Sequence, residues 1–438
     1  MKCLLGQLMA AWALAAHGLS SEHWSGSARA GDERTRVELR LEGEAGPQPR
    51  AWLSLPDVGV SGWPARSIRR ERDLLRIEFP SDSGLQTFVL NRAGDTLQGE
   101  WRAPEQVIPA RLSLRKKATA SVVRERHLRL AGPAGTLGAT LLLPAQRTRP
   151  VPGVVFVHGS GAQAREASRF AAEQLAAHGV AALIYDKRGV GESTGDWLQA
   201  SLQDLAADAV ALADWLEAQP GVEGVGFIGH SQGAWVGPLA AARRPQSRFL
   251  IVVSGPAVGP VREAHWDAVR ALRTAGAPPA VQEAARALIS QWFEAVRADR
   301  ADDWAAYEAA YAVARAQPWF AQSKLQGFAE RPDTALAGWL RRVADFEPLP
   351  LLRRLSVPSL WLLSPDDESI DAEETLALLE QLRALGTPIA LKRYPGFDHS
   401  LRRLGRNGQT LRWPAQPADL LATQLQFIRA ALKRVPGG

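Results

Sequence analysis

The sequence is nearly free of cysteine, since Cys3 is the only one among 438 residues. A disulfide needs two thiols, so a scaffold stapled by disulfides is excluded, and so is a zinc site built on cysteine thiolates. Beyond the N-terminus, no apolar run reaches the roughly 20 residues that a membrane-spanning helix requires. We therefore expect no transmembrane segment, no cofactor and no metal.

A strong excess of one charge is also missing. The chain has 52 Lys and Arg against 46 Asp and Glu, a formal net charge of +6. The basic side chains are scattered, and the densest runs, residues 66–72 and 402–406, are interrupted by apolar or acidic residues. This pattern is typical of a solvated surface rather than a nucleic-acid footprint, so we expect no nucleic-acid partner.

The N-terminus has the features of a secretory signal peptide. Lys2 precedes residues 4–16, which are apolar apart from Gln7, and small residues follow. This order predicts a signal peptide over residues 1–20 and an exported protein, periplasmic or extracellular. Cys3 precedes the apolar run, so it is badly placed for lipid attachment. The alternative is an amphipathic first helix.

Residues 21–118 predict a small β-rich domain. Short alternating runs such as RVELRLEG, LLRIEF and QTFVLN are separated by turn residues, which is typical of antiparallel strands in a sandwich or barrel. Its aromatic side chains are expected to be core rather than a ligand platform. These aromatic residues are Trp52, Trp63, Phe88 and Trp101.

Residues 119–438 predict an α/β domain. RERHLRLAG and TLGATLLLP resemble a hairpin, after which apolar strands such as VVFVHG, AALIYD, GVGFIG and FLIVVSG alternate with helices. Such alternation indicates a parallel sheet covered on both faces. The alternation pauses at about residues 256–348, a helix-rich stretch with five tryptophans that predicts a helical cap over the sheet.

Two pentapeptides fit Gly-x-Ser-x-Gly, the pattern that can hold a nucleophilic serine: GHSQG at 229–233 and GESTG at 191–195. Ser231 follows an apolar strand directly and precedes a helix of small residues, a setting that pushes the side chain out above the sheet. Ser193 is separated from its strand by the loop KRGVGE. Ser231 is therefore the predicted nucleophile, and GESTG is interpreted as a loop.

A serine nucleophile needs a base and a group that orients that base. His399, in the loop after the strand IALKRY, is the only histidine beyond the helical stretch, and it is the predicted base. The acid is expected in SPDDES, after the strand SLWLL, where Asp367 is favoured over Asp366. Asp398 ranks low because sequence neighbours on a turn rarely face each other.

Acyl transfer also needs donors for an oxyanion, usually two backbone N–H groups. The predicted donors are Gln232, directly after the nucleophile, and Ser160 in VVFVHGSGAQ, with Gly161 as the alternative to Ser160. The Gly-Ser-Gly turn could also suggest a phosphate loop, but neither Gly-x-Gly-x-x-Gly nor Gly-Lys-Ser/Thr follows it, which leaves a nucleotide site poorly supported.

The motifs VHGSG, YDKRGVGES, GHSQG, SPDDESI and YPGFDHS, in this order, resemble the α/β-hydrolase superfamily over about residues 121–438. HGSG with Arg165-Glu166, together with DKRGVG, is similar to its bacterial serine-aminopeptidase and monoacylglycerol-lipase-like branch. The resemblance implies an α/β-hydrolase fold with a cap between late strands, and a loop-shaping role for Asp186. Ser364 departs from the glycine that often precedes the acid in this family.

These features predict a serine hydrolase that cleaves carboxylic esters through Ser231, His399 and Asp367. The first alternative is a peptidase acting on short peptides, in which an acidic cluster in the cap holds a free amino terminus. The second is a catalytically inactive module that binds an envelope partner through the β-rich domain. The acidic candidates for the first alternative are Asp299, Asp302 and Asp303.

Overall fold

The computed structural model describes residues 21–43, 48–81, 84–106, 108–117, 122–405 and 411–433. The predicted signal peptide, residues 1–20, lies outside the described residues. No described helix is long and apolar enough to cross a membrane.

Residues 21–117 contain a nine-stranded antiparallel sheet in the order β4-β3-β2-β1-β9-β8-β7-β6-β5. Its edge strands β4 and β5 are adjacent in the chain, and backbone hydrogen bonds from Ala65 to Ala51 and from Arg66 to Glu78 hold that junction. The curled sheet is called the N-terminal barrel below. Its strands are β1 (Ser21–Ala30), β2 (Glu33–Glu42), β3 (Arg50–Leu55), β4 (Val60–Pro64), β5 (Ser67–Glu71), β6 (Leu74–Ser81), β7 (Gly84–Ala93), β8 (Thr96–Arg102) and β9 (Ala110–Lys117).

Strand alternation decides which side chains enter the barrel core, because successive side chains point to opposite faces. Phe88 and Trp101 are buried there, as expected, and their rings lie 5.1 Å apart. Trp52 was expected in the core but is only half-buried, because its neighbours Ala51 and Leu53 take the inner face. The guanidinium of Arg40 lies 4.0 Å from the Trp52 ring on the outer face. Trp63 is half-buried and packs against the core, as expected.

The second sheet has eight strands in the order β10-β11-β13-β12-β14-β15-β16-β17. The predicted hairpin, β10 with β11, is confirmed, and the strands from β13 onward pair in parallel. The strands are β10 (Val123–Gly132), β11 (Gly135–Pro144), β12 (Val151–Val157), β13 (Ala181–Tyr185), β14 (Val222–His230), β15 (Leu250–Val253), β16 (Ser359–Leu363) and β17 (Ile389–Arg393).

Helices cover both faces of this sheet, as its uniformly apolar strands require. One face packs against α2 (Leu202–Glu217), α3 (Gly233–Arg243) and α9 (Ala372–Ala384), and the other against α1 (Arg169–Ala177) and α10 (Leu420–Lys433). The chain therefore has the predicted α/β-hydrolase fold, in which the loops after the parallel strands share one edge of the sheet.

A helical cap is inserted between β15 and β16, as expected. It consists of α4 (Pro260–Thr274), α5 (Pro279–Ala298), α6 (Ala301–Arg315) and α7 (Thr334–Val343), and the short α8 (Leu349–Arg353) leads back to the sheet. Trp266, Trp292 and Trp304 are buried, and the last two belong to the cap's own aromatic core. Trp319 packs against the same core, so three of the five cap tryptophans are explained by packing within the cap.

The barrel and the α/β part are in direct contact. Trp413, from the segment before α10, belongs to the barrel core, with its ring 5.5 Å from that of Trp101. The backbone N–H of Arg412 donates to the Glu33 carboxylate at 2.9 Å, and that of Gln416 donates to the Asp57 carbonyl at 2.9 Å. The segment before α10 thus completes the core of the N-terminal barrel.

Candidate active site

Ser231 sits at the sharp turn between β14 and α3. Its φ is 53°, in the left-handed region that non-glycine residues seldom adopt. A Cβ added to Gly229 would lie 2.4 Å from the Gly233 carbonyl oxygen, and one added to Gly233 would lie 3.0 Å from that of Val157. The flanking glycines therefore permit the turn, which strains the backbone at Ser231, as expected for a nucleophile elbow.

His399 and Asp367 meet in a hydrogen-bonded pair. The Nδ1 atom of His399 lies 2.9 and 3.0 Å from the two Asp367 carboxylate oxygens. The Asp367 side chain is fully buried, and that of His399 is 17% exposed. A carboxylate on Nδ1 fixes the proton there and leaves Nε2 free to accept another proton.

The carboxylates of the two alternative acids bind backbone N–H groups. Asp366 accepts the backbone N–H of Gly396 at 2.7 Å, and Asp398 accepts that of Arg402 at 2.7 Å. Ser364, the departure from the resembled family, donates its hydroxyl to the Phe397 carbonyl at 2.6 Å. It thereby ties the loop of Asp367 to the loop of His399, so the structure brings these two together. Asp366 links the same two loops through Gly396, whereas Asp398 binds backbone N–H groups of its own turn.

Ser193, the serine of the second pentapeptide, is buried with its hydroxyl fully engaged. It donates to the Asp186 carbonyl at 2.6 Å and accepts the Gly138 N–H at 2.9 Å. Asp186 in turn is bound by Arg165, whose guanidinium donates to it at 2.6 Å. GESTG therefore holds the loop after β13 against β11, a structural role that the sequence interpretation as a loop did not specify.

The predicted oxyanion donors flank Ser231. A Cβ on Gly159 would lie 3.4 Å from the Ser231 Cβ, which places the Gly159–Ser160 turn beside the nucleophile. Gln232 is the residue immediately before α3, so its backbone N–H lies at the positive end of that helix. The turn is braced by Gln163, whose side chain accepts the Gly159 N–H at 2.9 Å. Gly161, the alternative donor, has a φ of 79°.

Sequence reasoning missed Lys187, which lies behind these donors. Its ammonium donates to the carbonyls of Gly159 at 2.5 Å and Gly161 at 2.8 Å, and to the Gln232 side-chain oxygen at 3.3 Å. The side chain is buried, and burial lowers the pKa of the ammonium to about 7. Only the motif DKRGVG marked this position, without indicating where the side chain would point.

Two further buried groups near the site were also missed. Burial lowers the pKa of His230 to about 4, so this imidazole, whose Nε2 lies 3.3 Å from the His399 carbonyl oxygen, is neutral near pH 7. Glu263 in α4 has a buried carboxylate oxygen with no hydrogen-bond partner among the described residues. Burial, together with the negative charges of Asp371 and Asp367, raises its pKa to about 8.

Two of the three acidic residues proposed to hold an amino terminus form ion pairs with arginines of the cap. Asp299 pairs with Arg331 and Arg341. Asp303 pairs with Arg300. Asp302 lies in the first turn of α6 and is exposed. The ion pairs give Asp299 and Asp303 a structural explanation.

Two cavities lie where the barrel meets the α/β part. One, of about 880 Å³, is lined by Trp24, Trp52 and Trp63 on the barrel side and by Arg169 and Glu173 of α1 on the other. The second, of about 680 Å³, includes His230 and Ser400 but neither Ser231 nor His399 in its lining. Within the described ranges, no group of three or more His, Cys, Asp or Glu side chains is placed to hold a metal ion.

Solved structures similar to this chain include three hydrolase-type proteins of low sequence identity. Among solved structures, an esterase from Pyrococcus furiosus is 16% identical, covering 70% of this chain and 91% of its own, with a TM-score of 0.45. Est1E from Butyrivibrio proteoclasticus, with ferulic acid bound, is 18% identical. The match covers 69% of this chain and 96% of that one, with a TM-score of 0.42. An α/β serine hydrolase without a lid from Xanthomonas campestris is 18% identical. The match covers 71% of this chain and 97% of that one, with a TM-score of 0.39.

A comparison with curated proteins found no match. The family model described as "Serine aminopeptidase, S33" matches residues 148–403, which is more than half of the chain. The matched region begins just before β12 and ends after the His399 loop, so it includes the elbow, the cap and the predicted acid and base. The chain therefore belongs to the S33 serine aminopeptidase-like family of α/β serine hydrolases.

Proposed function

We propose that the protein is an esterase that cleaves carboxylic esters through an acyl-enzyme on Ser231. The observation that carries the proposal is the His399–Asp367 hydrogen bond at 2.9 Å on the loops after β16 and β17, in a fold whose elbow holds Ser231 in a strained turn. An alcohol is a better leaving group than an amine, so an ester makes the smallest demand on such a site.

In the proposed mechanism, His399 Nε2 takes the proton from the Ser231 hydroxyl while Oγ attacks the ester carbonyl carbon. Asp367 holds the imidazole by its Nδ1–H and stabilises the imidazolium that forms. The backbone N–H groups of Gln232 and Ser160 bind the oxyanion of the tetrahedral intermediate. The imidazolium then protonates the departing alkoxide, and a water activated by His399 hydrolyses the acyl-enzyme and restores the Ser231 hydroxyl.

A series of p-nitrophenyl esters of increasing acyl length tests this proposal. Wild-type protein should release p-nitrophenol, and Ser231→Ala should do so at least about 10⁴-fold more slowly. Ser193→Ala is the matched control, because it removes the same hydroxyl from the other pentapeptide. Equal turnover by wild type and Ser231→Ala would contradict the proposal.

One observation favours a second candidate, an aminopeptidase acting on short peptides. The unpartnered, buried carboxylate oxygen of Glu263 lies on the first turn of α4, and the backbone N–H of Asp371 reaches the same carboxyl group. A substrate ammonium placed there would favour the ionised carboxylate, because an opposite charge lowers a carboxyl pKa. The family description, serine aminopeptidase, points the same way.

Aminoacyl-naphthylamides distinguish the two candidates. If the second is correct, free-amine substrates are cleaved, their N-acetylated counterparts are not, and Glu263→Gln lowers turnover of the first only. If the esterase proposal alone is correct, neither amide is cleaved and Glu263→Gln leaves p-nitrophenyl ester hydrolysis within a few-fold of wild type.

We also propose that the protein is exported and that residues 1–20 are removed. The support is the sequence order of Lys2, the apolar run and the small residues that follow it. The mass of the protein recovered from the periplasm or medium of an expressing cell tests this. A full-length mass with Met1 retained would contradict it.

A further inference from the structure

Lys187 is a buried ammonium that binds neutral oxygens. Its side chain is 3% exposed, and no carboxylate of the described residues forms an ion pair with it. Its partners are the carbonyls of Gly159 and Gly161 and the side-chain oxygen of Gln232. A buried charge without a counter-ion is destabilising. Packing alone therefore does not explain a lysine at this position.

The three acceptors belong to the two segments that flank Ser231. The Gly159 carbonyl and the Ser160 N–H are parts of one peptide unit, and the described chain contains no cis peptide bond. In a trans peptide the C=O and the N–H point in opposite directions. An ammonium that holds the Gly159 oxygen on one side therefore fixes the direction of the Ser160 N–H on the other side.

The contact with Gln232 lets Lys187 hold the second predicted oxyanion donor as well as the first. Gln232 is 2% exposed, and Lys187 holds its side-chain oxygen at 3.3 Å while its backbone N–H stands at the start of α3. One side chain thus links the residue after the nucleophile to the turn that approaches it. Preorganised donors of this kind are effective because they need no rearrangement when negative charge develops.

Arg188, the residue after Lys187, is a buried cation with a structural role. Arg188 is also buried, but its guanidinium binds the Asp208 carboxylate at 3.0 Å and the Asp204 carbonyl at 2.9 Å. Its charge is neutralised within α2, away from the Gly159 turn. Two consecutive buried cations of one loop therefore have different partners, a carboxylate for Arg188 and oxyanion-loop carbonyls for Lys187.

We propose that Lys187 is a positioning residue for the oxyanion site: it orients the Ser160 N–H through the Gly159 carbonyl and holds Gln232. This inference rests on the proposed function, since it concerns the donors that serve the Ser231 reaction. Lys187 forms no bond with the substrate and acts through the peptide groups it holds.

The test compares Lys187→Met with Arg188→Met in p-nitrophenyl ester hydrolysis. Removal of an oxyanion donor lowers kcat by about 10²–10³-fold, so Lys187→Met should lose at least about tenfold in kcat while KM changes by less than about threefold. It should also weaken binding of a trifluoromethyl ketone, which forms a tetrahedral oxyanion on the serine, by a similar factor. Arg188→Met should lose thermal stability but keep kcat within about threefold.

The outcomes separate this inference from the proposed function. A wild-type protein without ester hydrolysis would overturn the proposed function. An active wild type with Lys187→Met at wild-type kcat, or with Arg188→Met losing as much kcat as Lys187→Met, would overturn the inference alone. If Lys187→Met does not fold, Lys187→Gln is used, whose amide is one atom shorter and has two N–H donors for the three acceptors of Lys187. An unchanged kcat in that variant contradicts the inference equally.

Discussion

GHSQG and GESTG have the same pattern but place their serines in different environments. Ser231 occupies a left-handed turn with φ 53°, half-buried, between β14 and α3. Ser193 is buried, and its hydroxyl is used twice, as donor to Asp186 and as acceptor from Gly138. A nucleophile needs a hydroxyl whose proton can be taken by a base, and a hydroxyl that already holds two backbone groups is committed to structure. The comparison teaches that the hydrogen bonds of the serine, rather than the five letters, distinguish the two.

The largest expected difference between the two serines is in turnover. Ser231→Ala should lower kcat for p-nitrophenyl esters by about 10⁴-fold or more, because loss of a serine nucleophile leaves only binding and oxyanion stabilisation. Ser193→Ala should keep kcat within about threefold. Initial rates at saturating ester measure both. A loss of kcat in Ser193→Ala equal to that in Ser231→Ala would abolish the distinction.

The second prediction concerns Asp367, the acid predicted to serve Ser231 through His399. Asp367→Asn should lower kcat by about 10⁴-fold, because an amide favours the wrong tautomer of His399. Asp366→Asn is the matched control: it changes the neighbouring carboxylate, which binds the Gly396 N–H, and should keep kcat within a few-fold. The reverse ranking of the two variants would show that Asp366 is the acid.

The third prediction concerns stability. Ser193→Ala leaves the buried Gly138 N–H without its acceptor, which costs about 1–3 kcal/mol, so the thermal midpoint should fall. Ser231→Ala removes a half-buried hydroxyl from a turn and should change the midpoint little. Differential scanning fluorimetry measures both variants. A midpoint for Ser193→Ala equal to that of wild type would contradict the structural role of GESTG.

The fourth prediction concerns the pH dependence that Lys187, in the same loop as Ser193, gives to stability. Burial lowers its folded pKa to about 7, whereas an unfolded lysine titrates near about 10.4. Between these values the unfolded state binds more protons, so this group's contribution to stability rises with pH. The midpoint of wild type minus that of Lys187→Met should therefore rise from pH 7 to pH 10; a difference independent of pH would contradict burial of the charged amine.

The sequence was sufficient for the features that follow from periodicity and motif. The α/β alternation, the cap and the β10–β11 hairpin followed from apolar spacing, and the helix-rich stretch predicted at about residues 256–348 contains α4 to α7. The sequence did not predict the short strands β4 (VSGWP) and β5 (SIRRE), because their half-exposed residues lack an alternating pattern. Trp52 was misplaced because a strand's register, and not its composition, decides which face is buried.

The candidate site divides in the same way. The motifs pointed to Asp367 and His399, and the structure brings these two side chains together; their catalytic roles stay predictions. Lys187 and Glu263 could not be found, because their significance lies in burial and in the partners they have or lack. Those properties arise from packing between distant segments, here the loop after β13 against the Gly159 turn, and α4 against the Asp371 turn.

The most direct test of the central claim, that Ser231 is the nucleophile, is labelling with a fluorophosphonate, which phosphonylates an activated serine, followed by mass spectrometry of the peptides. We predict one adduct, on Ser231, that is retained in Ser193→Ala and lost in Ser231→Ala and on heat denaturation. An adduct on Ser193, or no adduct on folded wild-type protein, would contradict the account.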